Sequence, residues 1–357
     1  MSVDILLSVD IIPHIKTFSM FFTKKHKSVI KTYMRNELSY IIVTSNNFPL
    51  HRYMLSTDLT DELIEKFDYK RDWSWADKVE CAPSDDDTNY VVMAQLLIEK
   101  YGRDFEPHDV AKHWIDMQSK GAYCTAERVA YLNIMKGCFP PETATHKNPF
   151  REWIGAQIRG DYFGYINPGN PEAAAEMAWR DASISHTKNG IYGEMFASAM
   201  IAEAAVCNDI TKIIKTGLSH IPRTSRLRES ICTVLERHKS GMSFDECFTK
   251  FHELYDENDS HDLIHTISNA MIVCIALLYG ECDFGKPICI AVQMGFDTDC
   301  NGATVGSIVG MMNGIGGIAE DRKKPIAGKL DTTVFGVGRI NIDDAVEKTL
   351  EHINAAL

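Results

Sequence analysis

The sequence predicts a mostly helical, soluble protein, and three observations predict it. Apolar residues recur at helical rather than alternating spacing over most of the chain after residue 75. Strand signals are few, the β-branched run Tyr40 to Thr44 being the clearest. The longest clean apolar run, Ala270 to Tyr279, is too short to cross a bilayer.

Asn89 to Tyr101 carries Val92, Met93, Leu96 and Leu97 on one face, and the acidic triplet before it suits a helix start. Residues 172–180, 194–206, 262–279 and 343–356 read likewise as helices, rich in Ala, Met, Leu and Ile and free of proline. Gly302, Gly306, Gly310 and Gly314 recur every four residues, leaving one helical face bare. Glycine costs helix stability, so that stripe predicts a close approach by another backbone or a ligand. None of the 23 glycines precedes Gly102. With the basic patch Lys24, Lys25, Lys27 and Lys31, this sets residues 1–74 apart as a divergent N-terminal segment before a helical domain at 75–357.

With 49 acidic against 37 basic residues, the formal net charge is −12. A chain that acidic repels a phosphate backbone, so general nucleic-acid binding is excluded, and an anionic ligand must be met locally by a cation or helix N-terminus. The ten cysteines form no CxxC pair and read as reduced, apolar thiols. Asp4, Asp10, His14 and Lys16 interrupt any signal-like core. The expectation is a cytoplasmic protein without a membrane partner.

Four constellations could carry chemistry. In Pro83-Ser84-Asp85-Asp86-Asp87-Thr88, three adjacent carboxylates repel one another, a cost that a hard divalent cation relieves; an acidic helix cap is the competing reading. In Gly295-Phe296-Asp297-Thr298-Asp299-Cys300-Asn301-Gly302-Ala303, alternate acids can aim two carboxylates at one cation. An EF-hand loop fails here, because its twelfth position is Ile308 rather than a bidentate Glu. His261-x-x-x-His265 has zinc spacing, but Asp262 stands where a metalloprotease needs its Glu. In Ile154-Gly155-Ala156-Gln157-Ile158-Arg159, small residues would let backbone N–H groups reach a diphosphate. Downstream, His186 lies in a polar turn before a helix, where it could bond ribose or phosphate oxygens. Taken singly, Arg159 also reads as a salt-bridge partner and His186 as a structural turn residue.

In this order, the segments resemble the ADP-ribosylglycohydrolase family, with its early (Ser/Thr)-Asp-Asp-Thr, middle Gly-Ala-x-x-Arg and loop histidine, and late Asp-Thr-Asp-Thr-x-Gly-Ala. The resemblance covers about residues 75 to 345, including Thr125-Ala126-Glu127-Arg128. It implies an all-α, orthogonal multi-helix domain with a binuclear cleft for two Mg²⁺ or Mn²⁺ ions. It implies metal ligands among Asp85, Asp86, Asp87, Asp297, Asp299 and Cys300, and a proton acceptor at Asp86 or Asp87. Gly155, Ala156, Arg159 and His186 would hold an ADP-ribosylated protein or small molecule for cleavage of an N- or O-glycosidic bond. Two features depart from the family. Cys300 replaces its threonine, and residues 1–74 lack its Gly-rich first helix and nearby acid. They keep a second expectation open, a member that binds ADP-ribose-like nucleotides or serves a structural role without turnover.

Overall fold

The computed structural model describes residues 55–58, 60–66 and 75–355. Tyr40 to Thr44 and the basic patch at Lys24 to Lys31 lie outside the described residues. The longer helices are α1 (Asp86–Tyr101), α2 (Pro107–Met117), α3 (Thr125–Met135), α4 (Pro171–Ala182), α5 (Asn189–Ala204) and α6 (Ile210–Ser219). They continue with α7 (Arg226–Lys239), α8 (Phe244–His252), α9 (Thr266–Tyr279), α10 (Gly285–Gln293), α11 (Thr298–Asn313) and α12 (Ile342–Asn354). Shorter helical turns connect them, so the helical class expected from the sequence is what the chain adopts.

Helix α5 lies at the centre, rich in Ala, Met, Ile and Phe on every side; every residue from Phe196 to Ala204 is buried. It packs on α4, on the turn Asp161–Tyr165, and on α6, α9 and α11. Helices α9, α10 and α11 pack on one another, α9 with an unbroken buried run from Thr266 to Leu277. Helix α1 is amphipathic, burying Val92, Met93, Leu97 and Ile98, while Leu96 is only half-buried. Among the described residues, no helix is long and apolar enough to cross a membrane.

Several boundaries differ from the sequence reading, α5 among them, which starts at Asn189 rather than at residue 194; two of the differences have a clear local cause. Helix α1 begins at Asp86 rather than Asn89, because Asp85 and Thr88 close a capping box around its first turn. The periodic stretch 262–279 is broken, since α9 starts only at Thr266. His265 caps it by accepting the Ile267 N–H at its Nδ1, 3.1 Å away. The residues at the break bond elsewhere. Ile154 N–H donates to the Ile264 carbonyl at 2.9 Å and Thr266 N–H to the Glu152 carbonyl at 3.2 Å.

One small sheet matters for the site. Strands β1 (Lys329–Asp331) and β2 (Arg339–Asn341) pair antiparallel, with Leu330 opposite Ile340. Ala82 bridges to Leu330, its N–H donating to the Lys329 carbonyl and its carbonyl accepting from Asp331 N–H, both at 2.8 Å. Beyond the sheet, Asn89 donates from Nδ2 to Thr333 Oγ1 and accepts from Thr333 N–H, both at 3.0 Å. The start of α1 is thus held on both sides by the C-terminal segment.

Candidate metal centre

The early acids sit on the first turn of α1. Asp85 is the N-cap, with extended backbone (φ −143°, ψ 164°), and accepts the Asp87 N–H at 3.3 Å. The capping reading of this motif is therefore correct for Asp85, although the residue is buried rather than exposed. Asp87 is buried and Asp86 half-buried. One oxygen from each of the three lies within 4.8 Å of the others. The positive end of the helix lowers the cost of crowding the carboxylates there.

The late acids open α11 by a different device. Gly295 (φ +77°) and Phe296 (φ +62°) both take left-handed backbone, which non-glycine residues adopt at a cost. Phe296 is held there by its buried ring, edge-on to Phe251 with centroids 5.1 Å apart. Asp297, the N-cap of α11, makes no side-chain cap hydrogen bond. Ligand atoms of Asp297, Asp299 and Cys300 lie within 4.8 Å of one another.

The two clusters act on a common point. Burial pushes the Cys300 thiol well above its usual range, and the charges of Asp297, Asp87, Asp299 and Asp86 push in the same direction. Acids from both ends of the described chain thus bear on the same thiol. The donor set consists of hard carboxylate oxygens at two helix N-termini. Asn301 adds a buried Oδ1 without a hydrogen-bond partner, while Cys300 offers a neutral, soft sulfur. Such a set fits a hard divalent ion such as Mg²⁺ or Mn²⁺. The alternative metal motif has no comparable setting. Among the described residues, His261 and His265 belong to no three-ligand group.

Tyr90 links this centre to a buried polar cluster. Its hydroxyl is pushed far above the usual range by burial, then by the charges of Glu127 and Asp86. In the cluster, Arg159 pairs with Asp181, with Glu127 at 3.1 Å and with Glu194 at 3.7 Å. Its guanidinium carbon stands 4.9 Å from the Trp114 ring centre. The salt-bridge alternative describes where Arg159 lies, since its side chain is 2% exposed and its donors face carboxylates. Burial raises both Glu127 and Glu194, the latter well above the carboxylate range. The turn holding Gly155 and Ala156 is buried against this cluster, the Glu127 carboxylate occupying the place of a Gly155 β-carbon. His186 is buried too, 2.8 Å from Ser185 Oγ at its Nδ1. Burial first, and then Arg159, push its pKa well below the usual value, so the ring is neutral.

Sequence reasoning missed Asn269, and covered Glu127, Asp181 and Glu194 within its motif stretches without giving them a role. Asn269 sits inside a helical pattern where a lone polar residue carries no signal.

The helical fold thus sets one group of acids at the start of α1 and another at the start of α11. The chain belongs to the ADP-ribosylglycohydrolase family, whose model matches residues 49–353. Among solved structures it is similar to one described as "ADP-ribosylglycohydrolase-related protein complex". That likeness has a TM-score of 0.58 at 14% identity and covers 99% of this chain and 98% of that one. At such identity it speaks to the fold alone. No curated protein matches the chain by sequence.

Proposed function

We propose that this chain is a divalent-metal-dependent hydrolase of the N- or O-glycosidic bond joining ADP-ribose to a protein or small molecule, acting in the cytoplasm. The observation that carries the reading is the pair of acidic groups Asp85/Asp86/Asp87 and Asp297/Asp299/Cys300, the ligand atoms within each lying within 4.8 Å of one another, in a chain of this family. Asp85, Asp86, Asp87, Asp297 and Asp299 would hold one or two Mg²⁺ or Mn²⁺ ions, with Cys300 beside them. Bound there, the cation would supply charge to orient ribose hydroxyls and to acidify a water near the scissile bond. Asp86, half-buried at the helix start, or the buried Asp87 would take a proton from that water. Gly155, Ala156 and neutral His186 form the diphosphate and ribose side. Arg159 serves that side by fixing the turn from within, its donors being committed to the Asp181 and Glu127 carboxylates and the Asp181 carbonyl.

The test is release of ADP-ribose from arginine- and serine-linked peptides, with and without Mg²⁺, in wild type and Asp86→Asn. Release that needs Mg²⁺ and is lost in the variant supports the reading. Equal release in a chelator rules out the metal.

A second reading is favoured by Cys300 in the threonine position and by Glu127 lying over Gly155. It is a binder of ADP-ribose-like nucleotides without turnover. Calorimetric binding of ADP-ribose with Mg²⁺ and no release selects it.

A further inference from the structure

Asn269 is the fully buried side chain through which two parts of the candidate site are joined. It lies on the first turn of α9, and its amide is used in full. Oδ1 accepts the backbone N–H of Asp297 at 3.1 Å and the Nδ2–H of Asn301 at 2.8 Å. Nδ2 donates to the carbonyls of Leu263 at 3.1 Å and His265 at 2.9 Å. The acceptor face therefore holds the loop bearing the late acids. The donor face holds the segment 263–265, which is itself bonded to residues 152–154. Trp153 bridges to His265, and Ile154 N–H donates to the Ile264 carbonyl at 2.9 Å. Gly155 and Ala156 follow directly.

We propose that Asn269 is a positioning residue, setting the register of the Asp297/Asp299 loop against the Gly155–Ala156 turn; this rests on the metal reading above. The loop needs such a tie. Gly295 and Phe296 enter it with left-handed backbone, and Asp297 gives no side-chain cap to its own helix. The bond from Asp297 N–H to Asn269 is the link that orients the peptide just before the first late acid. A carboxamide suits this node because only it presents two acceptor sites and two donors in one plane without adding charge beside the acids. Substitution removes the tie without removing a ligand. The predicted defect is accordingly in geometry, as for groups that orient metal ligands from behind.

The experiment is calorimetric titration of Mg²⁺ into wild type, Asn269→Ala and a control, Thr143→Val, followed by ADP-ribose release where binding persists. Thr143 is equally buried and loses one bond, to the Ile184 carbonyl at 2.6 Å, far along the chain from both acid clusters. Asn269→Ala should weaken Mg²⁺ binding by about 10–100-fold, and lower kcat with little change in KM. Thr143→Val should lose thermal stability with Mg²⁺ affinity unchanged. If the alanine variant does not fold, Asn269→Ser, whose hydroxyl retains part of the bonding, is read against the same control. Wild-type binding matched by the Asn269 variant overturns this inference alone. No Mg²⁺ or Mn²⁺ binding by wild type overturns the metal reading, and the inference with it.

Discussion

The Glu127 carboxylate lies over the bare Cα of Gly155, in the space a β-carbon would need. Glu127 cannot retreat cheaply, because Arg159 Nη1 donates to its Oε1 at 3.1 Å and both side chains are buried. Glycine is therefore required at 155 by a neighbouring side chain of the same chain. Gly155→Ala should cost about 1–3 kcal/mol through overpacking, and adding Glu127→Ala should recover part of the loss attributable to the clash. Chemical denaturation of the single and double variants measures both. A neutral Gly155→Ala would show that the turn has room to spare.

Glu194 gives a pH test of the buried cluster. Burial, then the charge of Asp181, raises its folded pKa well above the ordinary value of 4.5. The folded state thus holds a proton that the unfolded chain releases. Its contribution to stability is complete below pH 4.5 and is lost as pH climbs through the raised folded value. Gln mimics the protonated acid and cannot lose that proton. The stability of Glu194→Gln relative to wild type should therefore grow as pH rises above the ordinary value of 4.5. A difference that stays constant as pH rises would mean that Glu194 is ionised in the fold.

Replacing Asp299 by Asn retains shape and removes one negative charge from the late cluster. Carboxylate repulsion falls, so the metal-free variant should be at least as stable as wild type. Its stabilisation by Mg²⁺ should shrink, because the favoured state binds the ion less tightly. Thermal melts with and without Mg²⁺ report both quantities. An unchanged Mg²⁺-induced shift would remove Asp299 from the ligand set.

Cys300 is 5% exposed, with its sulfur beside Asp297 and Asp299. In a working Mg²⁺ site, Cys300→Thr should maintain or raise Mg²⁺ affinity, since a hard hydroxyl replaces a soft sulfur. If the sulfur serves only packing, the same change buries a hydroxyl at about 1–3 kcal/mol and leaves metal affinity alone. Cobalt-loaded wild type separates the cases spectroscopically. A sulfur-to-cobalt charge-transfer band that disappears in the Thr variant places Cys300 on the metal. Weaker Mg²⁺ binding in the Thr variant with unchanged stability would contradict both accounts, pointing to a site tuned for another ion.

Local chemistry made the helical class and both acidic motifs legible in the sequence. Helical periodicity marked α1, α4, α5 and α12 because each is an amphipathic or fully apolar segment whose pattern is set over a few turns. Asp85 to Asp87 and Asp297 to Cys300 stood out because crowded like charges are costly wherever they occur. The partners of those residues were decided only by the tertiary structure. Asn269, Asp181 and Glu194 have no local signature of a role, and their meaning comes from carbonyls, N–H groups and a guanidinium supplied by distant segments. The same holds for Arg159 and Gly155: sequence alone left Arg159 open between a ligand contact and a salt bridge, and gave no sign that the Glu127 carboxylate lies over Gly155. Burial in a low-dielectric interior makes an unpaired charge so unfavourable that the fold commits Arg159 to three carboxylates and Gly155 to the space one of them needs. Periodicity acts between near neighbours, whereas desolvation is settled by whatever the packed chain brings alongside.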